Sequence, residues 1–260
     1  MVGVKKACDI IRNMQDDNND FVIVISGYAG VGKSTLMMRL SEELKGPGYL
    51  CKKNFEKYHV YSRKEFEKKL DELPDRDILC ADEAINMMFK REFQNRQQNQ
   101  IIKKLNTYRN KCMVLFFLLP TFWHLDSGVR NSTRIKWWIH CYKKGEAWIF
   151  QHEENPFNPD LWNQKENFWL FRNQGGRNVF KSKNYVLTLT WKKVNVETFE
   201  AYEQVKGIKR KLAYLEKDKK KVLTKKEIIQ GIVNTNPVVV KADIARLLKC
   251  TDNYVSRVTT

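Results

Sequence analysis

The chain has 260 residues, 42% hydrophobic and 12% aromatic, enough for one domain of ordinary size plus a small appendage, and wholesale disorder is excluded. Lys and Arg number 47 against 30 Asp and Glu, and the resulting net charge of +17 points to a polyanionic partner, nucleic acid being the commonest. Six cysteines with no C-x-x-C pair, no signal-like N-terminus, and a longest apolar run (Met113 to Leu119) too short to span a bilayer predict a cytoplasmic protein with free thiols and no membrane insertion.

In chain order, Lys5 to Met14 places Ala7, Ile10, Ile11 and Met14 on one face and predicts a short helix, followed by the acidic turn Asp16 to Asp20. Phe21 to Ser26 is an unbroken apolar run and reads as a buried parallel strand. Gly27-Tyr28-Ala29-Gly30-Val31-Gly32-Lys33-Ser34 follows at once; Leu36, Met37, Leu40 and Leu44 then recur at helical spacing until Gly46-Pro47-Gly48 stops the helix. Tyr58 to Tyr61 predicts a second strand, and Ser62 with Glu65 a capping box opening a helix that carries Phe66, Leu70 and Leu73.

Asp77 to Ala81 predicts a third strand, ending in Asp82-Glu83. A polar helical stretch follows from Ala84 to about Lys104, then a fully buried strand from Met113 to Leu119. This alternation predicts an α/β fold with a mainly parallel sheet covered by helices on both faces. Ile135 to Tyr142 and Glu146 to Gln151 bracket a Lys-Lys-Gly turn and read as a hairpin or as two sheet-extending strands. The domain is expected over 1–216, with a core at 21–151, an aromatic β-rich extension at 152–196 and a closing helix at 197–216. Tyr185 to Trp191 is strand-like, and Phe199, Tyr202, Val205, Leu212 and Leu215 line one face of the closing helix. Interleaved Trp, Phe, Lys and Arg between Trp137 and Trp191 can stack bases, but core packing is the favoured reading, since Trp137 and Trp138 straddle both faces of one strand.

Strand, glycine loop and helix in that order make Gly27 to Ser34 a phosphate-binding loop. Its glycines let successive N–H groups point inward at phosphates, and the following helix adds its positive end. Lys33 is placed to reach the β- and γ-phosphates, and the Ser34 hydroxyl to ligate Mg²⁺. The nucleotide-binding set is therefore Gly27, Tyr28, Ala29, Gly30, Val31, Gly32, Lys33, Ser34 and Thr35. Asp82, at a buried strand tip, is the expected second Mg²⁺ residue, and Glu83 is placed to polarise the attacking water. The alternative is an acidic pair that merely caps the next helix. No N-K-x-D guanine-reading sequence follows the later strands, so ATP with Mg²⁺ is the expected pair of ligands.

With both motifs present, the chain resembles the P-loop ATPases of the additional-strand, catalytic-glutamate division. That resemblance implies a polar sensor where the strand ends in Leu119-Pro120-Thr121, making Thr121 the candidate; Pro120 departs from the division's usual pattern. The order Tyr108-Arg109-Asn110, sensor strand, Leu125-Asp126, Val129-Arg130 and Arg134 resembles, over Phe21 to Gln151, FtsK/HerA-type motors and viral packaging ATPases. The likeness implies a homo-oligomeric ring, usually a hexamer, in which an arginine completes the neighbour's site, with Arg109, Arg130 and Arg134 as candidates. Surface ion pairing is the alternative for each.

The lysine run at 217–222 reads as a linker to a module at 223–260. Lys225 to Val233, Lys241 to Leu248 and Asp252 to Val258 have helix-turn-helix spacing, and the last part resembles helix-turn-helix and winged-helix domains, with Lys249 where a glycine often turns the chain. That resemblance implies DNA contacts from Lys241, Asn253, Tyr254, Ser256 and Arg257; a docking bundle is the alternative. The combined expectation is ATP hydrolysis coupled to work on DNA (translocation, packaging, segregation or transfer) for a virus or mobile element. An AAA+-like initiator or helicase loader, and a nucleotide-switched DNA-binding regulator, are the alternatives.

Overall fold

The structure is a computed structural model that describes residues 1–82, 84, 103–105, 107–131, 134–152, 162, 170–172, 178–180, 184–218, 230 and 255–257. Two compact units result, Met1–Arg210 and Lys211–Thr260. In chain order the elements are β1 (Val2–Gly3), α1 (Val4–Asp16), β2 (Phe21–Ser26), α2 (Lys33–Lys45), α3 (Lys52–Tyr58), β3 (His59–Val60) and α4 (Arg63–Glu72). Then come β4 (Ile78–Ala81), β5 (Val114–Leu119), α5 (Ser127–Arg130), β6 (Ile135–Lys143), β7 (Glu146–Phe150), β8 (Leu170–Arg172), β9 (Asn178–Phe180), β10 (Tyr185–Thr190) and α6 (Val196–Asp218).

The main sheet has the order β1-β10-β7-β6-β2-β5-β4-β3. All neighbours are parallel except at β7, which runs against both β6 and β10. β2 and β5 lie at its centre, paired in register from Phe21↔Val114 to Ser26↔Leu119. Every residue of both strands is buried, as an unbroken apolar run requires when both faces are covered. β6 alternates buried and half-buried positions because one of its faces is less fully covered. One strand, β5, intervenes between β2 and β4, so the ends that carry the glycine loop and Asp82 are two strands apart.

α1 lies against α2, with Cys8 Sγ 3.6 Å from the Leu40 carbonyl and Arg12 donating to the Glu43 carbonyl. Lys45 at the end of α2 pairs with Asp77 at 2.7 Å, fixing that helix end to the entry of β4. Ser62 caps α4 by accepting from the Glu65 amide at 3.3 Å, while the Glu65 carboxylate accepts from the Tyr61 amide at 3.1 Å, one residue earlier than a reciprocal box requires.

Several expectations need correction. Tyr58 closes helix α3 instead of opening a strand, so the second strand shrinks to His59–Val60. Only Phe55 and Tyr58 mark the buried side of that seven-residue helix, too few to show a period. Within the extension expected over 152–196, the last strand, β10, joins the main sheet between β7 and β1, while β8 and β9 form a two-stranded sheet. Along α6, Tyr202 and Val205 are buried as expected, but Phe199 is 40% and Leu212 56% exposed, so the inward stripe turns toward Lys206 and Lys209 instead. Of the polar helix expected after Asp82, residues 85–102 lie outside the described set; Ala84 is buried, and 103–105 are helical.

In the second unit, Val255 is buried within a helical stretch that also holds Ser256, half-buried, and Arg257, exposed. Lys241, Asn253 and Tyr254 lie outside the described residues, as does most of the expected helix-turn-helix module. Among the described residues no helix is long and apolar enough to cross a membrane. Cys8, Cys51, Cys80, Cys112 and Cys141 are free thiols.

Candidate functional site

The glycine loop leaves β2 between the ends of β5 and β6. Gly27 has φ +143°, and its amide donates to the Pro120 carbonyl at the end of β5, 3.2 Å away. On its other side a side chain would collide with β6: an ideal Cβ at Gly27 lies 2.5 Å from the Cys141 carbonyl oxygen. Gly30 and Gly32 also have positive φ, at +76° and +102°, and Gly32 is the left-handed residue that begins α2. No side chain caps α2, which leaves its first amides directed into the loop. Trp191, just past β10, packs over Gly32 at 3.6 Å from the position a Cβ would take. Tyr28, at the crest of the loop, is 83% exposed.

Lys33 turns back across the loop, its Nζ donating to the carbonyls of Gly27 at 2.6 Å and Tyr28 at 2.8 Å. Burial lowers its pKa, and the neighbouring Lys206 charge adds to that, against the opposing pull of Cys141 and Asp82. Ser34, one residue on, brings its Oγ to 3.4 Å from Asp82 Oδ1. β4 buries all four of its residues and delivers Asp82 almost completely buried at its tip. The loop and the acidic strand therefore meet although β5 separates their strands. Thr35 is half-buried in the first turn of α2.

Glu83 lies outside the described residues. Thr121 follows the Pro120 carbonyl that touches Gly27; it is half-buried, extended, and its side chain makes no cap on the short 3-10 turn Phe122–His124. The three arginines part company. Arg134 forms a nearly buried ion pair with Asp20, the residue before β2, and so stands at the opposite end of the sheet, about 20 Å of strand from the loop. That ion pair is the alternative weighed for Arg134. Arg130 packs its guanidinium over Trp123, 5.1 Å from the ring centre, and its Nη1 reaches the Leu125 carbonyl at 3.4 Å. Arg109 is exposed in the 3-10 turn Tyr108–Lys111 that precedes β5.

Other residues converge on the site without a motif to announce them. Ser26 ends β2 beside β6, where it accepts from Trp138 Nε1 at 2.7 Å and lies 3.0 Å from His140 Nδ1. Trp138 in turn stacks on Phe122 at 4.5 Å, which ties the segment after β5 to β6. Burial, with the Lys33 charge, lowers the His140 pKa, so its ring is neutral beside the loop. Asp82 Oδ2 accepts from Tyr61 at 3.3 Å, from Tyr202, and from Lys206 at 2.9 Å. Both phenol pKa values are raised, chiefly by burial and then by the Asp82 charge, so both remain protonated donors. The signal for Tyr202 and Lys206 was their i, i+4 spacing on the inward stripe of α6, a lysine where an amphipathic helix keeps apolar residues.

The arrangement fits a magnesium–nucleotide pair. Among the described residues no three His, Cys, Asp or Glu side chains gather to hold a metal alone. One hydroxyl and one carboxylate at a phosphate loop are what an ion completed by water and phosphate oxygens needs. Ser34 and Asp82 would hold it, and it would supply positive charge to the phosphate oxygens. Lys33 and the first amides of α2 would bind and orient the phosphates.

The family model described as Novel STAND NTPase 3 matches residues 4–122, a span that runs from α1 through the loop and Asp82 to the end of β5. Among solved structures, the N-terminal domain of zonular occludens toxin from Neisseria meningitidis is similar at 16% identity and a TM-score of 0.35, over 54% of this chain and 87% of that one. No curated protein matches the sequence. The family match covers the segment that carries the loop and Asp82, and with their meeting it supports a P-loop NTPase fold there.

Proposed function

We propose that the chain is a Mg²⁺-dependent ATPase of the additional-strand, catalytic-glutamate division. The observation that carries this reading is the approach of Ser34 to Asp82, with Lys33 held in the same loop. β5 between β2 and β4 supports the division, since one strand separates the loop strand from the acidic strand. Glu83 directly follows Asp82 in sequence and is assigned the activation of water. The net charge of +17 supports DNA as the object of the work, with the residues from 223 onward supplying contact through Lys241, Asn253, Tyr254, Ser256 and Arg257. Translocation or packaging by a homo-oligomeric ring, for a virus or mobile element, is the fuller form of this reading, in which Arg109, Arg130 or Arg134 completes a neighbour's site.

A nucleotide-switched regulator is the second reading, favoured by the hold that Tyr202 and Lys206 keep on Asp82. Steady-state hydrolysis with and without duplex and single-stranded DNA, beside mass measurement with a non-hydrolysable ATP analogue, separates the two. The motor requires DNA-stimulated turnover and assembly; slow turnover with tight site-specific binding supports the switch. Lys33→Ala is expected to abolish nucleotide binding or turnover, and Glu83→Gln to retain ATP and lose hydrolysis. Normal turnover in Lys33→Ala would refute the site itself.

A further inference from the structure

Asp82 has more partners than a metal-binding strand tip needs. Its Oδ1 faces Ser34, while its Oδ2 is shared by Tyr61, Tyr202 and Lys206. Two of these come from α6, and the Tyr202 contact spans 120 residues of sequence. Lys206 is only 14% exposed at its side chain, and its Nζ lies 2.9 Å from Asp82 Oδ2 and 3.3 Å from the Tyr202 hydroxyl. Among the described residues the other acid paired with it, Glu203, is 3.9 Å away and about half exposed.

An ammonium in contact with a carboxylate that Mg²⁺ must claim stands in for the metal's charge. When the ion takes Asp82, a half-buried lysine loses its principal counter-charge, and leaving it unpaired there is costly. An anion arriving with the metal removes that cost. The local ledger fits: Lys33 and Lys206 carry two positive charges against the single negative charge of Asp82, so the described site has an excess of positive charge before any phosphate arrives. Movement of the helix is not required. Val205 is buried and Lys209 is anchored to the Glu56 and His59 carbonyls and to Glu65, which pins α6 on both sides of Lys206. The four-carbon stem of Lys206 swings instead.

We infer that Lys206 is a second phosphate-binding lysine, held by Asp82 until the magnesium–nucleotide arrives and then passed to the terminal phosphate of a nucleoside triphosphate. The inference rests on the nucleotide-site reading above. A diphosphate has no terminal group to receive the ammonium, so Lys206 favours the triphosphate over the diphosphate while opposing metal entry at Asp82.

The test is equilibrium binding of fluorescent non-hydrolysable ATP and of fluorescent ADP over a Mg²⁺ titration, for the wild type, Lys206→Met and Lys206→Arg. Loss of one charge-assisted hydrogen bond should weaken triphosphate binding in Lys206→Met by about tenfold to a hundredfold. Diphosphate affinity should hold, and its half-saturating Mg²⁺ concentration should fall. Lys206→Arg should restore most of the triphosphate preference. Lys206→Gln, which still donates to Asp82, carries the same expectation if the methionine variant does not fold. Equal losses for both nucleotides would make Lys206 a packing residue, and unchanged binding would remove it from the site; either overturns the inference alone. A wild type that binds neither nucleotide overturns the site reading and the inference together.

Discussion

Two glycines in one loop should respond very differently to a single methyl group. At Gly27 the added Cβ meets the Cys141 carbonyl oxygen at 2.5 Å, Val31 Cγ1 at 3.0 Å and the Cys141 Cβ at 3.2 Å, on a backbone with φ +143°. The oxygen belongs to β6, whose register with β2 is set by Ile25↔Ile139 and Ser26↔His140, so it cannot retreat without opening the sheet. Backbone strain of about 1–3 kcal/mol adds to overpacking of about 1–3 kcal/mol, giving roughly 4 kcal/mol for Gly27→Ala. At Gly30, with φ +76°, no atom lies within 4 Å of the new Cβ. Only the left-handed penalty of about 1 kcal/mol remains there. At roughly 2–4 °C per kcal/mol for a chain of this size, thermal melting followed by circular dichroism should show losses of about 8–16 °C and about 2–4 °C respectively. Gly30→Ala should therefore stay folded and report on phosphate binding alone. A Gly27→Ala protein that melts with Gly30→Ala would show that β6 does not close against the loop as described.

Two further outcomes test other parts of the structure. His59 is fully buried between the rings of Phe55 and Tyr202, and burial, with the charges of Lys209 and Lys206, pushes its pKa down to about 3. The unfolded chain takes up a proton near pH 6.5 and the folded chain does not, so stability is full above pH 6.5 and falls as pH drops toward 3. At pH 5.5 the loss is about 1.4 kcal/mol. Urea unfolding at pH 7.5 and 5.5 should show this difference shrinking in His59→Leu, and an identical pH response in both proteins would place the imidazole in solvent. Asp20→Asn should strand the Arg134 guanidinium and cost about 3 kcal/mol of stability while leaving nucleotide affinity intact. Unchanged stability with impaired hydrolysis would favour the finger role of Arg134 over the ion pair.

The phosphate loop was legible because its chemistry is local. Glycines at fixed offsets, a lysine and a serine report a backbone shape that few other folds need, and the apolar run before them gives the strand. Asp82 was legible for a related reason, since a carboxylate that ends an apolar strand stands at the strand tip. The partners of Asp82 were not. Tyr202 and Lys206 reach it through a tertiary contact across 120 residues, and sequence periodicity ranks Tyr202 merely as core. Trp138 and His140 were hidden similarly, because a parallel strand pairing sets Ser26 beside His140 and nothing local encodes it. For Arg134 the order of motifs offered a finger, while its nearly buried pairing with Asp20 is visible only once β6 lies beside β2.

Sheet order explains why the middle strand matters most to the chemistry. Strands about 4.8 Å apart put the tips of β2 and β4 nearly 10 Å from one another, too far for Ser34 and Asp82 to share an ion by strand position alone. The loop closes that distance by curling back over the end of β5, which its amide at Gly27 grips through the Pro120 carbonyl. The departure from pattern at Pro120 then has a physical reading. A proline gives up its own amide but keeps a carbonyl to anchor the loop, and its ring restricts Leu119 to the extended backbone that a strand already uses. Thr121, the first residue beyond that anchor, thereby stands at the end of the strand between the loop strand and the acidic strand.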